Sequence, residues 1–229
     1  MTERAYFELR NGILNGEIGP GAYLLEERLA ARLGMSRTPI RTALKMLLTE
    51  GFLIQGEDRR LRVAGISLKE LEETFAARRA VEGAIADLAC RAGGSAELAR
   101  LEHFVYDEEL AHREHNRLLI LHSDRNFHAQ LARMAGNAFL ADFQERLGGV
   151  VSRFLALSST LNEEIILALE EHRAIVAALA GRDPKEARSA MLRHLDNIED
   201  RIRRRVGGPV LDEDEGEETG TCRSIGTDF

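Results

Sequence analysis

Residues 24–51, LLEERLAARLGMSRTPIRTALKMLLTEG, decide how the rest of the chain is read. Leu29, Ala30 and Leu33 recur at helical spacing and stop at Gly34, a residue that tolerates the left-handed conformation closing many helices. Ser36 is a good N-cap for a second helix, with Pro39 inside its first turn, where a missing N–H costs little. On a helical wheel Ile40, Ala43, Leu44 and Leu47 share one face, while Arg37, Thr38, Arg41, Thr42 and Lys45 share another. A short helix, a glycine turn and a second helix exposing Arg and Thr predict a helix-turn-helix. The same basic, amphipathic face also suits a solvated surface helix with no nucleic-acid role.

Upstream, residues 3–16 read as a first helix with Phe7, Ile13 and Leu14 apolar, and Gly19-Pro20-Gly21 as a turn. Downstream, Phe52–Ile54 and Leu61–Val63 are strand candidates around Gly56-Glu57-Asp58-Arg59-Arg60, a hairpin placed as a wing behind the helix-turn-helix. The pattern LxEExLAxxLGxSRTPIRxALxxLxxEG resembles the DNA-binding domain of the GntR family of bacterial transcription regulators, from about Leu9 to Val63. Thr42 stands where an acidic residue often follows the arginine, and Arg59 and Arg60 where members usually carry a second glycine at the wing tip. The resemblance implies operator recognition by Arg37, Thr38 and Arg41, with Arg28 at the phosphates and Arg59 and Arg60 on phosphate or a minor groove. Arg59 and Arg60 also suit a solvated hairpin.

The formal net charge of −7 looks wrong for a DNA binder until it is divided along the chain. Residues 1–65 carry +2, residues 66–206 carry −3 and residues 207–229 carry −6, so the net-positive segment is the one with the helix-turn-helix. Such a balance excludes non-specific coating of nucleic acid and leaves room for a local footprint. A composition 44% hydrophobic, rich in Leu and Ala and lacking Trp, supplies a core and favours helices. No apolar run approaches the ~18 residues of a membrane helix and the start, MTERAYFELR, lacks a signal-peptide core, so a soluble, cytoplasmic protein is expected. Cys90 and Cys222 lie too far apart in character, one in a helical pattern and one in a polar tail, to suggest a structural disulfide.

Three domains are expected: a winged helix-turn-helix over 1–65, a helical bundle over 66–206, and an acidic, disordered tail over 207–229. Within the bundle, Ser67-x-x-Glu70 predicts a capped helix running to Ala92, and Ser95 starts another to about Arg113. Further helices run from about Arg117 to Ala135 and from Asn137 to about Leu157. Thr160-x-x-Glu163 caps one that ends at Gly181, and Asp183-Pro184-x-Glu186 opens the last, to about Val206. The fold class is thus mainly α, an N-terminal winged helix-turn-helix followed by an all-α bundle.

Asp124 and His128 fall one turn apart on one helix face, His172 lies in the stripe Ile165, Leu169, Ile175, Leu179, and His194 lies among Met191, Leu195, Ile198 and Ile202. Three imidazoles and a carboxylate aimed into one bundle can hold a divalent cation and leave positions open. The same spacing suits separate core histidines with backbone or acidic partners. His103, His112, His115 and His122 fall in polar surroundings or on another face.

The bundle resembles the FCD domain, the effector domain of the FadR branch of the GntR family. The resemblance rests on D-x-x-F-H-x-x-L-x-x-x-x-G-N (Asp124 to Asn137), E-H-x-x-I (Glu171 to Ile175) and A-x-x-x-M-x-x-H-L (Ala187 to Leu195). It puts Asp124, His128, His172 and His194 on the metal-ligand positions and implies zinc, nickel or manganese as cofactor. It also implies a homodimer on double-stranded operator DNA, with a small organic or sugar acid as effector. Arg78, in R-x-x-V-E, matches a family arginine near the effector pocket, although it equally suits a salt bridge with Glu82. Arg146 and Arg153 are further effector candidates. The rival expectation is a metal-dependent hydrolytic enzyme using the same Asp/His site. Against it, the sequence shows no nucleophile–base pair, and the acidic ligand is committed to the metal.

Overall fold

A computed structural model describes residues 1–158 and 164–206, so the Thr160-x-x-Glu163 cap and the acidic tail lie outside the described residues. The chain begins with α1 (Thr2–Leu14), α2 (Glu26–Leu33) and α3 (Arg37–Thr49), followed by the hairpin β1 (Leu53–Gln55) and β2 (Leu61–Val63). Gly34 closes α2 in the left-handed region at φ 63°, where a Cβ would be strained, and the chain re-enters a helix two residues later. Ser36 occupies the N-cap position of α3 with extended backbone, though its hydroxyl makes no capping bond.

Leu53 pairs with Val63 and Gln55 with Leu61 in an antiparallel register. β2 also takes up backbone bonds from the turn after α1, where Leu24 N–H donates to Leu61 O and Val63 N–H to Ala22 O. The wing is therefore pinned on both sides. Arg59 at its tip adopts φ 60°, the conformation for which a glycine would be the cheaper residue. The buried faces of α1 and α3, with Phe52 and Leu53, form the small core of this head.

The remaining helices are α4 (Leu68–Ala92), α5 (Ser95–Arg113), α6 (Arg117–Met134), α7 (Ala138–Leu157), α8 (Ile165–Ala180) and α9 (Pro184–Val206). Side-chain caps fix several starts. Ser67 Oγ accepts from Glu70 N–H, Asn137 Oδ1 from Phe139 and Leu140 N–H, and Asp183 Oδ1 from Lys185 and Glu186 N–H. Glu186 does not complete a reciprocal box, because its carboxylate goes to Arg193 instead. Around α4, whose main partners are α9 and α6, the helices bury one continuous core.

The head and bundle touch along α7. A Cβ on Gly149 would come within 2.9 Å of Glu50 O, so glycine is what lets the C-cap of α3 approach α7 this closely. The Tyr6 hydroxyl lies 2.7 and 2.9 Å from the two Glu50 carboxylate oxygens. Burial, and then the Glu50 carboxylate, push the Tyr6 phenol up to about 12. A folded-state value above the unfolded one gives stability that is complete below pH ~10 and lost as pH rises toward the folded value. Melting temperature should therefore fall more steeply from about pH 10 to pH 12 in the parent than in Tyr6→Phe, whereas parallel curves would show the bond contributes nothing.

Candidate metal centre and nucleic-acid interface

Asp124 and His128 come from α6, His172 from α8 and His194 from α9. All three histidines are buried, and one ring nitrogen of each lies within 4.8 Å of one from the other two. The Asp124 Oδ1 atom is 3.9 Å from His128 Nε2 and 3.9 Å from His172 Nε2. Phe127, on the same helix, stacks on the His172 ring at 4.3 Å and meets His128 edge-on, which restricts both rings.

Each imidazole has a carboxylate behind it that the sequence pattern did not single out. His172 Nδ1 is 2.9 Å from Glu108 Oε2 on α5, and His194 Nδ1 is 2.9 Å from Glu171 Oε2 on α8. His128 Nδ1 lies 2.6 Å from Glu82 Oε2 on α4, an ion contact out of line for a hydrogen bond. With the Nδ1 atoms tied back, the Nε2 atoms of His128 and His172 point inward, buried and without a hydrogen-bond partner among the described residues. Unpaired buried nitrogens of this kind are costly in an empty core and are what a cation would satisfy. The donor set of imidazoles and a carboxylate fits a borderline divalent ion, which would polarise a bound carboxylate.

The acid residues carry their own counter-charges. Arg78 Nε is 2.6 Å from Glu82 Oε1, both groups being about 2% exposed. Arg201 reaches Glu171 at 2.6 and 2.9 Å. Burial works to raise Glu82, but Arg78 and His128 reverse it and hold this carboxyl well below the usual range. Burial likewise opposes ionisation of Glu171, and His194 and Arg201 bring it down to about 2. Burial, and then the neighbouring imidazoles, take His194 down to about 3, which keeps it neutral and ready to donate a lone pair. Burial disfavours a charged His172, yet Glu108 with Asp124 and Glu171 raises it, so a cation there must displace a proton. Burial raises Glu108.

Of the three arginines expected at an effector pocket, the structure brings Arg78 there. With Asp124, His128, Gln144 and Val151 it lines a cleft between α4, α6 and α7, whose free volume of about 10 Å³ is roughly one water's worth. Arg153 is buried but turned to the linker, where it bonds Gly65 O and the Glu70 carboxylate. Arg146 is exposed on α7, and neither Arg146 nor Arg153 lines the cleft. The Arg78–Glu82 pair is a buried ion pair and the arginine also faces the cleft, so the two expectations for Arg78 coexist.

On the head, Arg37, Thr38, Arg41, Thr42 and Lys45 are all exposed on α3, opposite the buried Ile40, Ala43, Leu44 and Leu47. Arg41 holds Glu26 with two nitrogens, at 2.9 and 2.7 Å, and Arg37 holds Glu27. Two carboxylates at the start of α2 thus occupy the arginines that would meet DNA. Arg28 is exposed on α2, and Arg59 and Arg60 are exposed at the wing, with Arg60 3.6 Å from Asp58.

The comparisons agree with this architecture. Residues 1–63 match the model for bacterial regulatory proteins of the gntR family, and residues 73–197 match the FCD domain. The chain is 33% identical over 185 residues to a protein of Paenarthrobacter nicotinovorans named as the probable D-xylose utilization operon transcriptional repressor, covering 80% of each. It is 27% identical over 203 residues to the transcriptional repressor RspR of Escherichia coli, covering 89% of each. Its fold is similar to that of E. coli McbR/YncC, with a TM-score of 0.75 at 22% identity over 90% of this chain and 98% of that one. A helix-turn-helix of this family binds DNA, and the family is one of transcription regulators, which leaves the hydrolase alternative without support. Among the described residues no helix is long and apolar enough to cross a membrane. The chain belongs to the gntR family of bacterial regulatory proteins and carries an FCD domain behind its DNA-binding head.

Proposed function

We propose that this regulator binds its operator as a homodimer and that a small organic or sugar acid, held at a divalent metal in the bundle, sets its affinity for DNA. The domains would divide at residue 65, with operator contacts on 1–65 and effector contacts on 66–206. Arg37, Thr38 and Arg41 would read bases, and Arg28, Arg59 and Arg60 would contact the backbone. Asp124, His128, His172 and His194 would hold the ion, and Arg78 would take the acid's carboxylate. Two-fold pairing would double the few base contacts one winged helix can make.

The observation that carries this reading is the convergence of buried imidazoles whose Nδ1 atoms are tied to acids while two Nε2 atoms face Asp124 unpaired. A core built only for packing has no reason to leave them so. The sugar-operon name of one relative supports an acid from carbohydrate metabolism. The test is metal analysis of protein purified without chelator or nickel resin. About one zinc, nickel or manganese per chain is expected. A stoichiometry near zero, with melting unchanged by added metal, would return these residues to the core.

A second outcome follows from the outer carboxylates. Glu108→Gln keeps a hydrogen-bond acceptor for His172 Nδ1 but removes the charge that makes the ring basic. Metal affinity should fall by about 10–100-fold in competition with a chelator, with the helical content unchanged. Unchanged affinity would mean that Glu108 does not tune the site.

A further inference from the structure

Gln144 is 7% exposed, on the turn of α7 that faces α6, and its Oε1 has no hydrogen-bond partner among the described residues. A buried, unpaired amide oxygen is expensive unless a partner arrives. It lines the same small cleft as Asp124, His128 and Arg78. The outer wall of that cleft is the ion pair between Arg125 of α6 and Glu145 of α7, whose side chains are 26% and 62% exposed. Gly148 on the same wall leaves the space that Arg125 fills, since a Cβ there would come within 3.1 Å of Arg125 Nε.

Inner and outer groups therefore offer different chemistry. Gln144 offers an acceptor that only a donor can satisfy. Arg125 offers a cation whose present partner is a solvent-facing carboxylate, held by an interaction that water weakens. The free volume of about 10 Å³ admits a small ligand only, and one that opens the Arg125–Glu145 contact gains room in doing so.

We infer that Gln144 and Arg125 select a small hydroxy acid: Gln144 Oε1 accepts the ligand's hydroxyl hydrogen, and Arg125 exchanges Glu145 for the ligand's carboxylate. This rests on the small-acid reading above and adds the residues that distinguish one acid from another. A hydroxyl-specific site rejects the analogue lacking that hydroxyl, because its own polar group is then left unpaired.

The experiment is calorimetric titration of metal-loaded protein with matched acids, glycolate against acetate and lactate against propionate. The parent should bind each hydroxy acid at least about tenfold tighter than its partner. Gln144→Met should bind acetate and propionate as the parent does, keep its metal, and reduce the hydroxyl preference to about threefold or less. Glu145→Gln, a change at an exposed position, should tighten all four acids several-fold and leave the preference intact. Acids binding without hydroxyl preference, or a preference that survives Gln144→Met, would overturn the assignment of Gln144 and leave the small-acid reading standing. Acids no tighter on Glu145→Gln would overturn the exchange at Arg125. If no acid binds the metal-loaded parent, the small-acid reading fails and takes this inference with it.

Discussion

Protein carrying His172→Ala is expected to purify with under about a tenth of the parent's metal and to melt about 6–12 °C lower. His172 is fully buried, hydrogen-bonded to Glu108 and stacked on Phe127, so the change removes a ligand and leaves a cavity beside an acid with no partner. Breaking a buried pair from one side costs about 3–5 kcal/mol. Here the lower end applies, because burial already raises Glu108 and the orphaned carboxyl can take up a proton. A loss of about 3 kcal/mol in a chain of this size gives the stated range at about 2–4 °C per kcal/mol. Operator affinity without acid should stay within about threefold, since the recognition residues lie on α3. Full metal content in this variant would remove His172 from the site.

Arg41→Ala is expected to weaken operator binding by about 1–3 kcal/mol per half-site and to relax specificity at one base pair of each. In the free protein this guanidinium is held by Glu26, with which it forms a two-nitrogen contact at the protein surface. The nearby carboxylate raises the Arg41 value still further, so the group is charged whenever DNA arrives. DNA must then displace an acid, and Glu26→Gln should tighten binding to all sequences alike by removing a charge that repels phosphate. Arg28→Ala should weaken all sequences equally and flatten the salt dependence by about one unit of slope. Arg41→Ala binding as tightly as the parent would show that another element reads the bases.

The head was legible because its signals are local. Gly34 in the left-handed region, the apolar face of α3 and the strands around residues 56–60 each depend on a few neighbouring residues. The helix starts at Ser67, Asn137 and Asp183 followed from capping chemistry for the same reason. The histidines stood out because a polar ring inside an apolar stripe breaks the pattern. Their carboxylate partners did not. Glu108 lies in the run Asp107-Glu108-Glu109, and which of three acids turns inward is fixed by packing against α8, not by spacing along α5. Glu82 was visible only as a partner for Arg78 one turn away; its burial arises because α6 brings His128 to it. Arg153 shows the opposite effect: its position on α7 suited a pocket, but Gly65 and Glu70 of the linker reach it first.

The central claim is that a small acid acts on DNA affinity through the metal site. Fluorescence anisotropy of labelled DNA from upstream of the protein's own gene tests it, with the parent metal-loaded, the parent after chelation, and His172→Ala. Each is titrated with and without glycolate and lactate. The account predicts that an acid changes the apparent Kd by about tenfold or more in the metal-loaded parent and by less than about twofold in the other two. An equal response with and without metal, or no response to either acid in the loaded parent, would contradict it.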